Sequence, residues 1–476
     1  MPQDTYDVVV IGGGPAGENA AAYAIAGSQR TAAIVERELV GGECSYWACI
    51  PSKALLRPTQ VLEGGRALPG VSERITAGGL QLDAVFARRD AFVSHHNDAG
   101  QVKWADSNGI DVVRGVGQLA GRGAVNVGGR TLRARHAVVV ATGTTARLPD
   151  VPGLPAALPW TSRDATNMHE VPQRVVIVGG GVVACESATW MAAFGAEVTM
   201  LVRGSSLVSG AEPFARERIV AGLRAHGVDV RFRTAPVSVH RERPENTGEG
   251  RIHGGPVLVQ LDDGSLQADE IVVAAGRVPA TADLGLGTVG LEADKPIPVD
   301  DHLCVTNAGG EWLYAVGDVN GRTAVTHMGK YQARVCGDVI AARAEGRPLS
   351  GPRYTARADR GLVPQVVFTA PELGSAGITE AQARERGLSV RTTEIDIAVA
   401  GASLSRDDFS GRAKLVIDAD RQCLLGATFV GPDVGELVHA ATIAIAGEVP
   451  LETLWHAVPA FPTVSEIWLR LLESLR

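Results

Sequence analysis

Two stretches of this chain repeat one pattern, and the repetition limits the fold more than any other feature. Residues 7–36 (DVVVIGGGPAGENAAAYAIAGSQRTAAIVE) and 174–202 (RVVIVGGGVVACESATWMAAFGAEVTMLV) each open with a β-branched apolar run. Each then passes through a glycine-rich turn into an alanine-rich stretch of helical spacing and ends in a second apolar run. Continuous apolar strands are the mark of parallel sheets covered on both faces. A strand–helix–strand unit occurring twice predicts an α/β protein with two mononucleotide-type folds.

The turns carry the first chemistry. Gly12, Gly14 and Gly17 form a GxGxxG between strand and helix. Such glycines allow a tight turn and let a pyrophosphate approach the helix N-terminus, where free N–H groups and the helix dipole favour negative charge. Glu36 ends the second strand, placed to accept hydrogen bonds from a ribose diol. The second unit has Gly179 and Gly181, with Ala184 in the third position. Its second strand ends in Val202 followed by Arg203, where the first unit has an acid. Without a carboxylate a 2′-phosphate is not repelled, and arginine offers it a partner, so NADPH is expected over NADH. The alternative for Arg203 is a surface residue without a ligand. Three other apolar strands also end in glycine, at Thr142-Gly143, Gly276 and Gly317-Asp318. The Gly-Pro stretch at 149–156 reads as a linker.

Composition excludes several classes. The chain has 476 residues, with 45 basic and 53 acidic side chains giving a net charge of −8. No nucleic-acid partner is expected from that balance. No apolar run reaches the ~18 residues of a membrane helix, and a strand begins too early to leave room for a signal peptide. A cytoplasmic protein without a membrane partner is the expectation, and no metal site is expected. Lysines number only five, at positions 53, 103, 295, 330 and 414; compositional bias explains the scarcity, yet it makes each position worth inspecting.

Six cysteines do not make a secreted disulfide framework. Two of them, Cys44 and Cys49, lie in GGECSYWACIPSK at 41–53. In a regular helix that spacing rises ~7.5 Å, too far for a disulfide. A bond there needs a distorted turn at a helix start, a place that also lowers thiol pKa values. Taken alone, the pair reads either as a redox centre or as two buried reduced thiols.

Taken together these residues resemble the flavin-dependent pyridine nucleotide–disulfide oxidoreductases, the group of dihydrolipoamide dehydrogenase, glutathione reductase and mercuric reductase. The resemblance spans nearly the whole chain and includes AAGRVP at 274–279 with Gly276 and Arg277, YAVGD at 314–318, VVFTAPELGSAGITE at 366–380 and FPTVSE at 461–466. It implies FAD in the first unit, a nicotinamide cofactor in the second and a C-terminal α+β dimerisation domain of a homodimer. The implied division is 1–150 with 277–350 for FAD, 151–276 for NAD(P) and 351–476 for dimerisation. Cys49 matches the inner thiol next to the flavin and Cys44 the outer, interchange thiol. Lys53 matches a lysine beside the flavin, Glu186 its ion-pair partner, and Asp318 the carboxylate that holds the ribitol.

The pattern breaks at the C-terminus. Disulfide-reducing members carry a His-Pro-Thr-x-x-Glu there, the histidine serving the partner subunit's outer thiol. Here Phe461 replaces that histidine while Glu466 is kept. His456 reads as a structural or surface residue rather than a relocated base. Tyr46 and Trp47 add aromatic bulk inside the cysteine loop, and Val182 stands where several relatives have a gating tyrosine. The C-terminal cysteine pair of mercuric reductase is missing. The expected function is transfer of reducing equivalents from NAD(P)H through FAD and Cys44/Cys49 to a small disulfide or another electrophile. Two alternatives are a diaphorase, with direct transfer to a quinone or in transhydrogenase fashion, and a flavoprotein redox sensor.

Overall fold

The computed structural model describes residues 4–75 and 79–476. They gather into two compact units. The first comprises 1–51, 90–147 and 277–359; the second comprises 52–89, 148–276 and 360–476.

In the first unit the opening strand, Thr5–Ile11, pairs in parallel with Ala32–Glu36 on one side and Arg130–Val140 on the other. Ile110–Arg114 and Leu313–Ala315 extend the parallel sheet, while Ala124–Val127 and Gly117–Leu119 join it antiparallel. Val8 and Val10 point into one apolar cluster, and Tyr6, Val9 and Ile11 into another. Both faces are therefore covered, which is why these strands read as unbroken apolar runs. On one face the Pro15–Ile25 helix lies against the Thr326–Ala344 helix at backbone distance. A Cβ on Gly337 would come within 2.4 Å of the Tyr23 Cβ.

The second unit repeats the device. Arg174–Val178 pairs in parallel with Glu197–Val202 and Glu270–Val273, and Asp229–Phe232 completes the four strands. Val175 and Ile177 face one cluster, Val176 and Val178 the other. The 149–156 stretch follows directly on the passage from the first unit to the second, and it is anchored. Leu154 is fully buried and joins the second of these clusters, because prolines and glycines turn the chain while leucine anchors it. The same unit holds an antiparallel sheet in the order Gln365–Val367, Glu372–Gly377, Cys423–Gly431, Arg412–Asp418, Val390–Asp396. The Val438–Ala446 and Ile467–Glu473 helices bury their apolar sides against it. Among the described residues no helix is long and apolar enough to cross a membrane. None of them form a His/Cys/Asp/Glu group fit for a metal ion.

Candidate active site

Backbone geometry makes the first glycine turn irreplaceable. Gly12 has φ +105°, and a Cβ there would sit 2.5 Å from the Ala141 carbonyl oxygen. A Cβ on Gly17 would overlap the Gly12 oxygen at 1.9 Å. Gly14 caps the Pro15–Ile25 helix with no side-chain acceptor, so the first N–H groups of the helix stay available to an anion. Glu36 is buried at the strand end. It accepts hydrogen bonds from the N–H groups of Gly13 and Glu38, both at 2.7 Å, which fixes its carboxylate beside the turn.

Other polar groups gather at the carboxyl ends of the neighbouring strands. The buried Thr142 hydroxyl has no hydrogen-bond partner, an orphan that a ligand would satisfy. Gly143, in the left-handed region at φ +70°, accepts from the Ala280 N–H. Asp318 accepts from the Thr144 hydroxyl at 3.0 Å. Burial raises its carboxyl pKa, while the Thr144 bond and the Arg277 charge oppose the rise. Arg277 itself donates to Thr144 Oγ1 and to the Thr144 carbonyl, each at 2.6 Å. Gly317 donates its N–H to Gln332 at 2.8 Å. An uncapped helix start, an orphaned hydroxyl and two carboxylates at strand ends fit a dinucleotide such as FAD.

The cysteine loop adopts the distorted turn its spacing required. A short helix, Gly42–Tyr46, stops at Trp47 (φ −133°, ψ −1°), and the next helix starts at Cys49 and runs to Arg66. The break lets two residues five apart meet. Cys44 hydrogen-bonds to Cys49, and that bond together with burial pushes its thiol pKa upward, against the opposing influence of Thr326 and Lys330. Cys49 Sγ lies 3.4 Å from Thr326 Oγ1. Thr326, the first residue of its helix, therefore touches both thiols; no sequence motif had singled it out.

Tyr46 and Trp47 are buried and stack edge to face, centroids 5.7 Å apart. The Tyr46 hydroxyl donates to the Val40 carbonyl at 3.0 Å. Trp47 also meets the His96 ring at 5.5 Å. His96 closes a run of three left-handed residues, with Ser94 and His95 at φ +50° and His96 at +54°. A conformation this uncommon for non-glycine residues persists only where its surroundings hold it.

One helical turn after Cys49, Lys53 Nζ pairs with Glu186 Oε2 at 2.7 Å. The Glu186 side chain is 4% exposed, and its other oxygen accepts the Phe368 N–H at 3.0 Å. This desolvated carboxylate, doubly held, fixes the lysine in place.

At the second glycine turn, Gly179 has φ +141° and a Cβ there would lie 2.3 Å from the Ala274 oxygen. Gly181 caps the Val182–Ala193 helix, again without a side-chain acceptor. Val202 is buried and Arg203 exposed. Arg233, exposed and at φ +53°, donates its N–H to the Gly204 carbonyl at 3.0 Å, setting a second arginine beside the first. Gly276, at φ +116°, follows the adjacent strand.

Phe461 is 75% exposed. Glu466 is buried, and its Oε2 has no hydrogen-bond partner. His456 is exposed, its backbone N–H bonded to Thr453.

Residues 6–346 match the family profile described as pyridine nucleotide-disulphide oxidoreductase, and 363–471 match its dimerisation domain. The chain belongs to this family. It is an oxidoreductase that uses FAD and a pyridine nucleotide, and the dimerisation domain supports a homodimer. Among curated proteins it is similar to glutathione reductase of Burkholderia cepacia, 30% identical over 98% of both chains. It is 31% identical to dihydrolipoyl dehydrogenase of Rhizobium etli, covering 97% of this chain and 96% of that protein. Mercuric reductase of Staphylococcus aureus is 27% identical, over 97% of this chain and 81% of that protein. Among solved structures, the HOCl-induced flavoprotein disulfide reductase RclA of Escherichia coli superposes with a TM-score of 0.82 at 25% identity, covering 99% of this chain and all of that one.

Proposed function

We propose that this oxidoreductase passes electrons from NADPH to a small disulfide or comparable electrophile through Cys44 and Cys49. One observation carries the reading: the helix break at Trp47 brings the two sulfurs into hydrogen-bonding contact, with Thr326 held against both. Bound FAD would supply the two-electron link between the nicotinamide and the sulfur pair. Gly12, Gly14, Gly17, Glu36, Thr142, Gly143, Gly317 and Asp318 would hold it, with Arg277 steadying the Asp318 side. Lys53, fixed by Glu186, supplies a cation that stabilises negative charge accumulating during transfer. Cys49 acts as the inner thiol and Cys44 as the exchanging one. Residues 1–150 with 277–350 form the FAD part, 151–276 the nicotinamide part, which includes Gly179, Gly181 and Gly276, and 351–476 the subunit contact, where Glu466 and Phe461 would meet the partner's site.

Arg203, with Arg233 beside it, favours the 2′-phosphate of NADPH. Arg203→Ala is expected to lower kcat/KM for NADPH about tenfold or more, the value of one charge-assisted contact, and to leave the NADH value within about twofold. Comparing the two cofactors before and after the substitution checks this; a wild-type preference for NADH would contradict it.

Phe461 cannot move a proton. Turnover with oxidised lipoamide is expected to lie ~10²-fold or more below that of a histidine-bearing relative, the usual cost of losing a positioned acid/base. Steady-state assays of the two enzymes side by side measure the gap, and equal rates would show that Phe461 does not limit the reaction. The same residue favours a second reading, a diaphorase that hands electrons directly to a quinone.

A further inference from the structure

Tyr46 and Trp47 stand between the two cysteines in the chain, yet they are only 2% and 6% exposed, so they act from behind the sulfurs rather than on an acceptor. Pro51 lies in the first turn of the Cys49–Arg66 helix. It cannot sit inside a longer helix, because its ring would meet the Trp47 carbonyl and it has no N–H to donate. Pro51 therefore keeps the two helices from merging, but it leaves the angle between them open. The buried side chains around Trp47 set that angle.

The loop is gripped from both sides. Toward the glycine turn, Gly41 donates its N–H to the Gly13 carbonyl at 2.7 Å, and a Cβ on Gly42 would lie 2.8 Å from the Gly14 Cα. Val40, fully buried, accepts the Tyr46 hydroxyl at 3.0 Å and donates its N–H to Asp98 Oδ2 at 2.8 Å. Arg114 completes this tie, donating to the same Asp98 oxygen at 2.5 Å and to the Glu38 carbonyl at 2.9 Å. Two residues before Asp98, the His96 ring lies 5.5 Å from Trp47 and 6.2 Å from Tyr46. It reaches them through left-handed backbone at Ser94, His95 and His96, and its Nε2 is buried without a hydrogen-bond partner. Left-handed non-glycine residues and an unpaired buried nitrogen each cost stability. The same conformation sets a third ring against Trp47, beside the buried Val93, and that packing offsets the cost.

We infer that Trp47 is a positioning residue for the sulfur pair: wedged by Tyr46 and by the His96 ring, it holds the helix break at the angle that keeps Cys44 and Cys49 in reach of each other, and so sets the reduction potential of their disulfide. The inference rests on the Cys44/Cys49 reading given above. When the disulfide forms, the pair gives up two protons, one S–S bond closes and two electrons pass to the oxidant. Closure is favoured in proportion to the effective concentration of one sulfur at the other. A loosened wedge lets the two helices pivot and spreads the sulfurs. Their effective concentration falls, the dithiol is favoured and the potential rises.

The test equilibrates the FAD-loaded protein anaerobically with mixtures of reduced and oxidised dithiothreitol, which exchange two electrons and two protons with the pair. Acid quenching, alkylation of free thiols with iodoacetamide in denaturant, and mass measurement of the peptide carrying Cys44 and Cys49 give the fraction oxidised. Trp47→Ala should move the exchange constant about tenfold toward the dithiol, a rise in potential of about 30 mV. Trp47→Phe, which keeps a ring, should recover most of that shift. His96→Gly and His95→Gly both relieve a left-handed backbone, but only the first removes the ring from Trp47. His96→Gly should therefore move the constant in the same direction, while His95→Gly should stay within about twofold of wild type. His96→Gly decides the matter if Trp47→Ala does not retain FAD. Constants within about twofold of wild type in both Trp47→Ala and His96→Gly, or equal shifts in His95→Gly and His96→Gly, would overturn the proposal. If no mixture yields a Cys44–Cys49 disulfide in the wild-type protein, the sulfur-pair reading itself fails, and this proposal with it.

Discussion

Replacing both Cys44 and Cys49 by serine is expected to lower NADPH-dependent disulfide reduction by ~10³-fold or more, because the groups that exchange bonds with the acceptor are gone and no other residue can take their place. Serine keeps the size and the hydrogen-bonding capacity, so the contact with Thr326 survives and FAD should remain bound. The other cysteines offer no bypass. Cys185, Cys304, Cys336 and Cys423 are all buried, and burial raises the thiol pKa of each. Steady-state assays of wild type and double variant with a disulfide and with a quinone settle the choice of reading. Unchanged quinone reduction by the double variant, with neither protein reducing disulfides, would put the diaphorase in place of the disulfide reductase.

Gly14→Val is expected to weaken FAD binding by about 10²-fold, roughly 3 kcal/mol, while the protein still folds. A Cβ at this position meets only the Gly42 Cα, at 4.0 Å, and Gly14 does not need a left-handed backbone. The added methyl groups instead cover the helix start where the pyrophosphate must approach. Gly17→Val makes the contrast. Its Cβ would overlap the Gly12 oxygen at 1.9 Å, so the turn itself must open and stability is expected to fall along with FAD. Visible absorbance of the purified proteins, read beside thermal unfolding, separates the two effects. A yellow, fully loaded Gly14→Val protein would show that this helix start does not carry the cofactor.

The two α/β cores were legible because their strands are covered on both faces, and Val8 to Ile11 or Val175 to Val178 therefore show apolar side chains without a break. The need for a bend between Cys44 and Cys49 followed from helix rise alone, and the helix does stop at Trp47. Lys53 and Glu186 lie 133 residues apart; only family resemblance paired them. The Gly-Pro stretch follows directly on the passage from the first unit to the second at Arg147–Leu148, and its punctuation hid one anchoring residue, Leu154. Thr326 escaped notice for a related reason. It belongs to no motif, and only the packing of its helix brings it to the sulfurs. Arg233 was invisible beside Arg203 because a backbone hydrogen bond between distant turns makes them neighbours.

The central claim is that the Cys44–Cys49 pair stores an electron pair in communication with FAD. Anaerobic titration of the oxidised holoenzyme with NADPH, followed by visible absorbance, tests it most directly. Uptake of two electron pairs per subunit, with a long-wavelength thiolate–flavin band after the first, is the expected result. Bleaching complete after a single pair, with no such band, would contradict it.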